Sequence, residues 1–269
     1  RFYEIPQRER ADSISINTNT QSAVKARDLR SNSKQILKLK KAYEAKYSNG
    51  FFATKRGEII PADKDKQYCI ELSYLGKNLT AWYMQRPNLS YGETKIFDKY
   101  FNTLFKNDYL PEDAYALSFW MRKIMDAWTQ ENPLGLEEEL LTMKAYAPYH
   151  LLFAISMVFA KCNNQTNVPS PSECLKVASE NNLVDSIINI AANCLNSAIS
   201  AEKNNCEQNN RSFIPQNWVK NKSCNAGIMS AIQNYFSFLP TMNKEMDSKL
   251  KNGVKIDSKY FSYRVQAED

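Results

Sequence analysis

Apolar residues recur with a helical spacing along most of the chain from about residue 70 onward. The pattern predicts helices near residues 70–85, 93–106, 112–130, 137–162, 171–180, 183–204, 225–238 and 241–252. Prolines mark several of the breaks, because a proline disfavours helix at the residue before it. The spacing therefore predicts a mainly α fold, a multi-helix array that fills residues 67–269 without an internal repeat.

One of these helices, near residues 112–130, has a broad apolar face. The face consists of six apolar side chains: Ala114, Leu117, Met121, Ile124, Met125 and Trp128. A continuous apolar stripe on a helix is typical of a face that packs in a core. We expect it to be core rather than a base-stacking surface.

The first 66 residues have a different pattern. Arg1–Pro6 and Ser13–Ile16 alternate like short strands, Val24–Arg30 is predicted to be a tight connector, and Phe51–Ile60 is predicted to be a small hairpin or an extended strand. We expect residues 1–66 to be the end of an N-terminal α/β domain, a small α/β remnant beside the helical domain. The absence of an initiator Met at Arg1 suggests an internal fragment of a longer protein.

A helix is predicted within this first region, from about Lys34 to Tyr47, with Ser31, Asn32 or Ser33 as its N-cap. Its apolar face is predicted to consist of Ile36, Leu39, Tyr43 and Tyr47. The opposite face is predicted to carry Lys34, Lys38 and Lys41. The helix is therefore amphipathic with a basic outer stripe.

Positive charge is concentrated around this helix. Residues 21–56 hold ten Lys and Arg against two acids, whereas residues 57–269 hold 22 basic and 24 acidic side chains. A concentrated basic patch is typical of a surface that contacts a polyanion. The predicted nucleic-acid contacts are Lys25, Arg27, Arg30, Lys34, Lys38, Lys41, Lys55 and Arg56. The alternative is a solvated Lys-rich helix that only favours solubility.

No catalytic residue, metal site or cofactor is predicted. The seven glycines form no nucleotide-binding pattern, and the six cysteines include no C-x-x-C pair. The one histidine, His150, precedes an apolar run, which favours a core position over catalysis. Four acids between residues 58 and 71 (Glu58, Asp63, Asp65 and Glu71) do not begin the D/E-x-K triplet that a restriction-type nuclease needs.

The cellular setting is predicted from the cysteines and the apolar runs. The cysteines are widely spaced, and we expect them to be reduced and mostly buried, in a cytoplasmic protein. The apolar run Leu151–Ala160 is well short of the roughly 20 residues that cross a bilayer, so no membrane partner is expected.

Two neighbouring segments resemble the core of the abortive infection phage resistance (AIPR) family. They are Ile16–Gln21 and Val24–Asn32, and the motif positions in them are Asn17, Thr18, Asn19, Gln21, Arg27, Asp28, Leu29 and Asn32. The order of features downstream, from Phe51–Glu58 to an aromatic helical stretch near Ile96–Phe105, agrees with that family. The resemblance covers residues 1–110, and beyond them only the helical character agrees.

The resemblance implies a role in bacterial antiphage defence, with this chain as the C-terminal part of a family member. Three functions remain open. The first is contact with DNA or RNA through the basic segment. The second is a helical interaction module that binds a defence-system partner protein or senses a phage component. The third is a fragment of a metal-dependent nuclease whose active site lies outside this chain. Whether the intact protein is an enzyme is left undecided.

Overall fold

A computed structural model describes residues 26–105, 109–126, 128 and 131–266. The helices in these residues are α1 (Ala26–Arg30), α2 (Lys34–Lys46), α3 (Leu72–Trp82), α4 (Glu93–Asp98), α5 (Phe101–Leu104), α6 (Pro111–Asp126), α7 (Glu138–Thr142), α8 (Ala147–Cys162), α9 (Pro171–Glu180), α10 (Val184–Gln208), α11 (Pro215–Lys220), α12 (Lys222–Met242) and α13 (Lys244–Gly253). The predicted mainly α fold is confirmed. The strands predicted at Arg1–Pro6 and Ser13–Ile16 lie outside the described residues.

Two pairs of short strands join distant parts of the described chain. β1 (Phe51–Ala53) pairs in parallel with β2 (Cys69–Glu71), and β3 (Val168–Pro169) pairs antiparallel with β4 (Phe261–Ser262). The hairpin considered for Phe51–Ile60 does not form. After β1 the N–H groups of Thr54 and Lys55 donate to the Glu58 carboxylate instead of to a strand.

Two of the helices predicted as continuous are each divided. The segment 93–106 forms α4 and α5, and the segment 137–162 forms α7 and α8. Pro148 lies in the first turn of α8, where its missing N–H is tolerated and where it favours the start of a new helix. The connector expected at Val24–Arg30 instead contains the short helix α1, and α11 was not predicted at all.

The centre of the molecule is α8. Nearly all of its side chains from Ala147 to Ala160 are buried, and α3, α6, α10 and α12 pack around it. A helix that is apolar on every side is stable only inside such a shell. None of the helices in the described ranges is long and apolar enough to cross a membrane.

The apolar face of α6 is confirmed as core. Ala114, Leu117 and Ile124 of α6 and Trp128 just beyond its end are buried, and Met121 packs partly buried against the same cluster. Met125, the sixth predicted residue, is only half-buried. The six cysteines are free thiols, of which four are buried, and Cys69 and Cys162 are partly exposed. Buried apolar residues from α2 to the segment after α13 form one continuous cluster.

The predicted domain boundary between residues 66 and 67 separates two regions that contact each other in the structure. β1 and β2 pair across it, and α2 packs against α6. The Lys46 ammonium lies 2.8 Å from Glu112 of α6 and lowers the pKa of that carboxyl. The two-domain division stays a prediction, and these contacts bring the basic segment against the helical array.

Candidate nucleic-acid interface

The amphipathic pattern of α2 is present in the structure. Ile36, Leu39 and Tyr43 are buried, and the Tyr43 hydroxyl donates to the carbonyl oxygen of Tyr68. The face turned to solvent carries lysines at a spacing of four and then three residues, and they are Lys34, Lys38 and Lys41. Residues three or four apart are neighbours on a helix surface, so these lysines form one row.

A tight loop after β1 holds two further cations beside α2. Lys55 and Arg56 are exposed at its tip, followed by Gly57 with a φ of +68°. Glu58 closes the loop, because its carboxylate accepts from the N–H of Thr54 at 2.8 Å and of Lys55 at 3.0 Å. The Lys40 ammonium lies 3.2 Å from the same carboxylate and ties the loop to α2.

The electrostatics of Glu58 agree with a structural role. Partial burial acts to raise its pKa, yet the two backbone donors and Lys40 together hold that pKa below its ordinary value. The three donors engage both oxygens of the Glu58 carboxylate. Its role is to fix the loop that presents Lys55 and Arg56.

The two arginines of α1 lie in a different environment from the lysines of α2. Arg27 is 8% exposed, and its guanidinium lies 3.3 Å from Asp28 and 3.5 Å from Glu93 of α4. Arg30 donates from Nε to the carbonyl oxygen of Phe97 and lies over the Phe101 ring at 4.7 Å. Both arginines therefore fasten α1 to α4 and α5, and neither extends into solvent like the lysines.

The family-motif positions are only partly described. Asn17, Thr18, Asn19 and Gln21 lie outside the described residues, as does Lys25. Asp28 pairs with Arg27 and, at 3.5 Å, with Arg56 of the loop. Leu29 and Asn32 are exposed. The structure thus brings Lys34, Lys38, Lys41, Lys55 and Arg56 to the surface.

Acid–base and metal chemistry have little support in the described chain. His150 is fully buried in α8, where its Nδ1 lies 3.1 Å from the carbonyl oxygen of Tyr146, and burial lowers its pKa to about 4. Among the described residues, no three side chains of His, Cys, Asp or Glu converge as metal ligands. Glu137 and Glu139, from a run of three consecutive glutamates at residues 137–139, pair with Lys203.

A second basic group, which the sequence analysis did not single out, lines a cleft elsewhere on the molecule. It consists of Arg86, Lys222 and Arg264. Residues 57–269 are nearly neutral as a whole, and the three cations are far apart in the chain. Since only the packing of the helices brings them together, no local pattern in the sequence indicates this site.

Comparison of the chain with protein-family models, curated proteins and solved structures finds no match. The resemblance to the AIPR family therefore stays a prediction from the sequence segments alone.

Proposed function

We propose that this chain contacts nucleic acid through the lysine face, defined as Lys34, Lys38 and Lys41 of α2 together with Lys55 of the following loop. The observation that carries the proposal is the single row of exposed lysines on the solvent side of α2. The only acid of that helix, Glu44, is turned aside, and its carboxylate accepts from the N–H of Phe52. The row on α2 therefore contains no acidic residue.

A lysine row of this kind binds phosphates rather than bases. An ammonium at the end of a flexible stem is a point charge, which positions a nucleic-acid backbone without reading sequence. Four such contacts support weak binding with little sequence preference, and the bound lysines release counterions from the backbone. We expect DNA or RNA binding that depends strongly on salt.

The biological setting is a separate part of the proposal. We assign the chain to a bacterial antiphage, abortive-infection defence protein because of the AIPR-like segments at 16–21 and 24–32. This assignment depends on the resemblance alone. The lysine face does not depend on it.

The first prediction concerns the salt dependence of binding. Changing Lys34, Lys38 and Lys41 together to Gln should reduce the slope of log affinity against log salt by up to about three units, because each phosphate contact contributes about 0.7–0.9. The measurement is fluorescence anisotropy with labelled duplex DNA, single-stranded DNA and RNA over a salt titration.

The control for this experiment removes the same charge elsewhere. Lys144, Lys244 and Lys255 are exposed and lie outside α2, so their triple change to Gln should leave the slope within about one unit. An equal reduction in both variants would mean that only net charge matters. Absence of binding by the unaltered chain at low salt would show the proposal to be wrong.

A protein-interaction module is the second candidate, and one observation favours it. Phe238 and Met242, one turn apart near the end of α12, are 62% and 75% exposed. Contiguous exposed apolar surface marks contacts with other proteins, and these two neighbouring side chains are where we place such a contact. Changing both to Ser should abolish a complex with a defence-system partner or phage component, whereas the lysine triple variant should not.

A further inference from the structure

Tyrosine and lysine side chains alternate on a second surface, which involves no residue of α2. We call it the tyrosine surface, and its members are Tyr74 and Lys77 of α3, Tyr91 between α3 and α4, Tyr146 directly before α8 and Lys220 at the end of α11. Tyr74 is 53% exposed and Tyr91 is 42% exposed, whereas Tyr146 is half-buried. Two aromatic rings therefore present much of their area to solvent.

One part of the tyrosine surface is a pair of rings that share an ammonium group. The ring centroids of Tyr91 and Tyr146 are 5.2 Å apart, and the rings are tilted by 56° to each other. The Lys220 ammonium lies 5.7 Å from the Tyr91 centroid and 5.3 Å from the Tyr146 centroid. Because the rings are tilted rather than stacked, neither covers the face of the other.

The other part of the surface is on α3. The Lys77 ammonium lies 5.6 Å from the centroid of the Tyr74 ring, which is one turn earlier in the helix. The Ser90 hydroxyl donates to the carbonyl oxygen of Lys77 at 3.0 Å. Since Tyr91 directly follows Ser90, this hydrogen bond holds Tyr91 next to the same turn of α3. The two parts are therefore neighbours.

The lysines of this surface supply positive charge. Within the described part of the chain, the contacts of both the Lys77 and the Lys220 ammonium are with tyrosine rings, and neither forms an ion pair. Glu93 is the acid nearest to Tyr91 in the sequence, and its carboxylate lies 3.5 Å from the Arg27 guanidinium. Aromatic rings beside cations are typical of surfaces that bind single-stranded nucleic acid.

We propose that the tyrosine surface binds unpaired bases of single-stranded DNA or RNA. Bases stack on Tyr74 and Tyr91, and the two ammonium groups contact backbone phosphates. In a duplex the bases are stacked on one another, so their faces do not reach such rings. The proposal goes beyond the lysine face, which contacts phosphates alone, and it does not depend on that face.

The ammonium groups that now lie over the rings do not prevent stacking. A cation–π contact at an exposed site favours its closed arrangement by about 2- to 5-fold. Stacking of a base on an aromatic side chain strengthens binding by about 5- to 150-fold. A base therefore replaces the ammonium on the ring, and the flexible lysine stem carries the ammonium to a phosphate of the same strand.

The test is fluorescence anisotropy with labelled oligodeoxyadenylate, oligoadenylate and duplex DNA at low salt. It uses the chain with Lys34, Lys38 and Lys41 changed to Gln, so that the lysine face does not mask the second surface. Changing Tyr74 and Tyr91 together to Ala should weaken binding of the single strands by at least about 20-fold. Changing both to Phe keeps the rings, so the affinity should stay within about threefold.

The bases themselves are tested with an abasic oligonucleotide, which keeps the phosphates and lacks the bases. It should bind at least about 20-fold more weakly than oligodeoxyadenylate to the chain with both tyrosines present. Tighter binding of oligoadenylate than of oligodeoxyadenylate would assign the surface to RNA, the reverse order would assign it to DNA, and equal affinities would assign it to both.

A matched control removes two exposed tyrosine rings elsewhere. Tyr260 and Tyr263 are both exposed, and the Lys259 ammonium lies 4.9 Å from the Tyr260 ring. Changing both tyrosines to Ala should leave the affinity for single strands within about threefold, because no base stacks on them. Circular dichroism shows whether each variant folds. If the Tyr74, Tyr91 variant does not fold, Tyr91→Ala alone replaces it, with an expected loss of at least about fivefold.

Three results would overturn the proposal. The first is the absence of single-strand binding in the chain without the lysine row. The second is an abasic oligonucleotide that binds as tightly as oligodeoxyadenylate. The third is a loss in the double alanine variant no larger than that in the control, which would leave these rings for contact with a protein. Failure of the lysine face shows separately, as an unaltered duplex salt dependence in the lysine triple variant.

Discussion

Arg27 and Arg30 have the same charge as the nearby Lys34 and Lys41 but occupy different environments. The arginine guanidinium is planar and weakly hydrated, so it packs on a ring and binds a carboxylate at low exposure. The lysine ammonium is strongly hydrated and stays in solvent. At the scale of the residue, burial separates the cations that hold α1 to α4 from the cations that remain exposed to solvent.

His150 shows the same effect of burial on a titratable group, and it carries the second prediction. Its pKa is lowered to about 4 by burial, whereas in the unfolded chain the pKa is about 6.5. As the pH falls below 6.5, the unfolded chain binds a proton that the folded chain does not, so the free energy of unfolding decreases. Above pH 6.5 this contribution to stability is fully present.

When the pH falls from 7.5 to 5, His150 should account for a decrease of about 2 kcal/mol in the free energy of unfolding. His150→Asn keeps a donor toward the Tyr146 carbonyl but does not titrate, so the variant should lack this part of the pH dependence. The measurement is urea unfolding of both proteins at several pH values. If the free energy of unfolding changed with pH in the same way in both proteins, the prediction would be wrong, whatever the difference in their overall stability.

Close packing between helices appears at the scale of the element. Gly76 of α3 faces α4, and a Cβ added there would lie 2.8 Å from the Phe97 ring, which is itself fully buried. Gly227 of α12 is a matched case without this constraint, because its nearest neighbour would be Ala198 at 3.9 Å. The same substitution should therefore have opposite effects in the two helices.

The third prediction uses this pair. Gly76→Ala should destabilise the protein by about 1–3 kcal/mol, since the ring has no free space to move into. Gly227→Ala should stabilise it by about 0.5–1 kcal/mol, because alanine favours helix more than glycine does. Thermal unfolding followed by circular dichroism measures both changes. A gain in stability for Gly76→Ala would show that α3 and α4 pack less closely than described.

One continuous cluster of buried residues connects the basic segment with the helical array at the scale of the whole molecule. Phe52 of β1 is fully buried in this cluster. The four tryptophans, Trp82, Trp120, Trp128 and Trp218, all lie after residue 66. Their fluorescence therefore reports only on the helical array, which allows a test of whether the two regions unfold together.

The fourth prediction is that the basic segment and the helical array unfold together. Phe52→Ala should lower the free energy of unfolding by about 3–5 kcal/mol, as expected for a deleted core ring, and tryptophan fluorescence should show that loss in full. Tyr263→Ala, at an 85% exposed position, is the control and should change stability by less than about 0.5 kcal/mol. A tryptophan transition that is unchanged in Phe52→Ala would favour two independent domains.

The sequence predicted the features that depend on local spacing. Helical periodicity indicated most of the described helices, the buried face of α6 and the two faces of α2, because each follows from a 3.6-residue repeat within one segment. Boundaries were less accurate. The divisions at α4–α5 and α7–α8 were missed because apolar residues continue through both breaks.

What the sequence by itself determined is the mainly α architecture and the lysine row on α2. Only the tertiary structure decided which cations are free of the core and which converge. Arg30 is held by a carbonyl 67 residues away, and the Asn225 amide donates to the carbonyl oxygen of Gln85, 140 residues away. Periodicity is a property of one segment, whereas a partner across such a distance depends on how the whole chain packs.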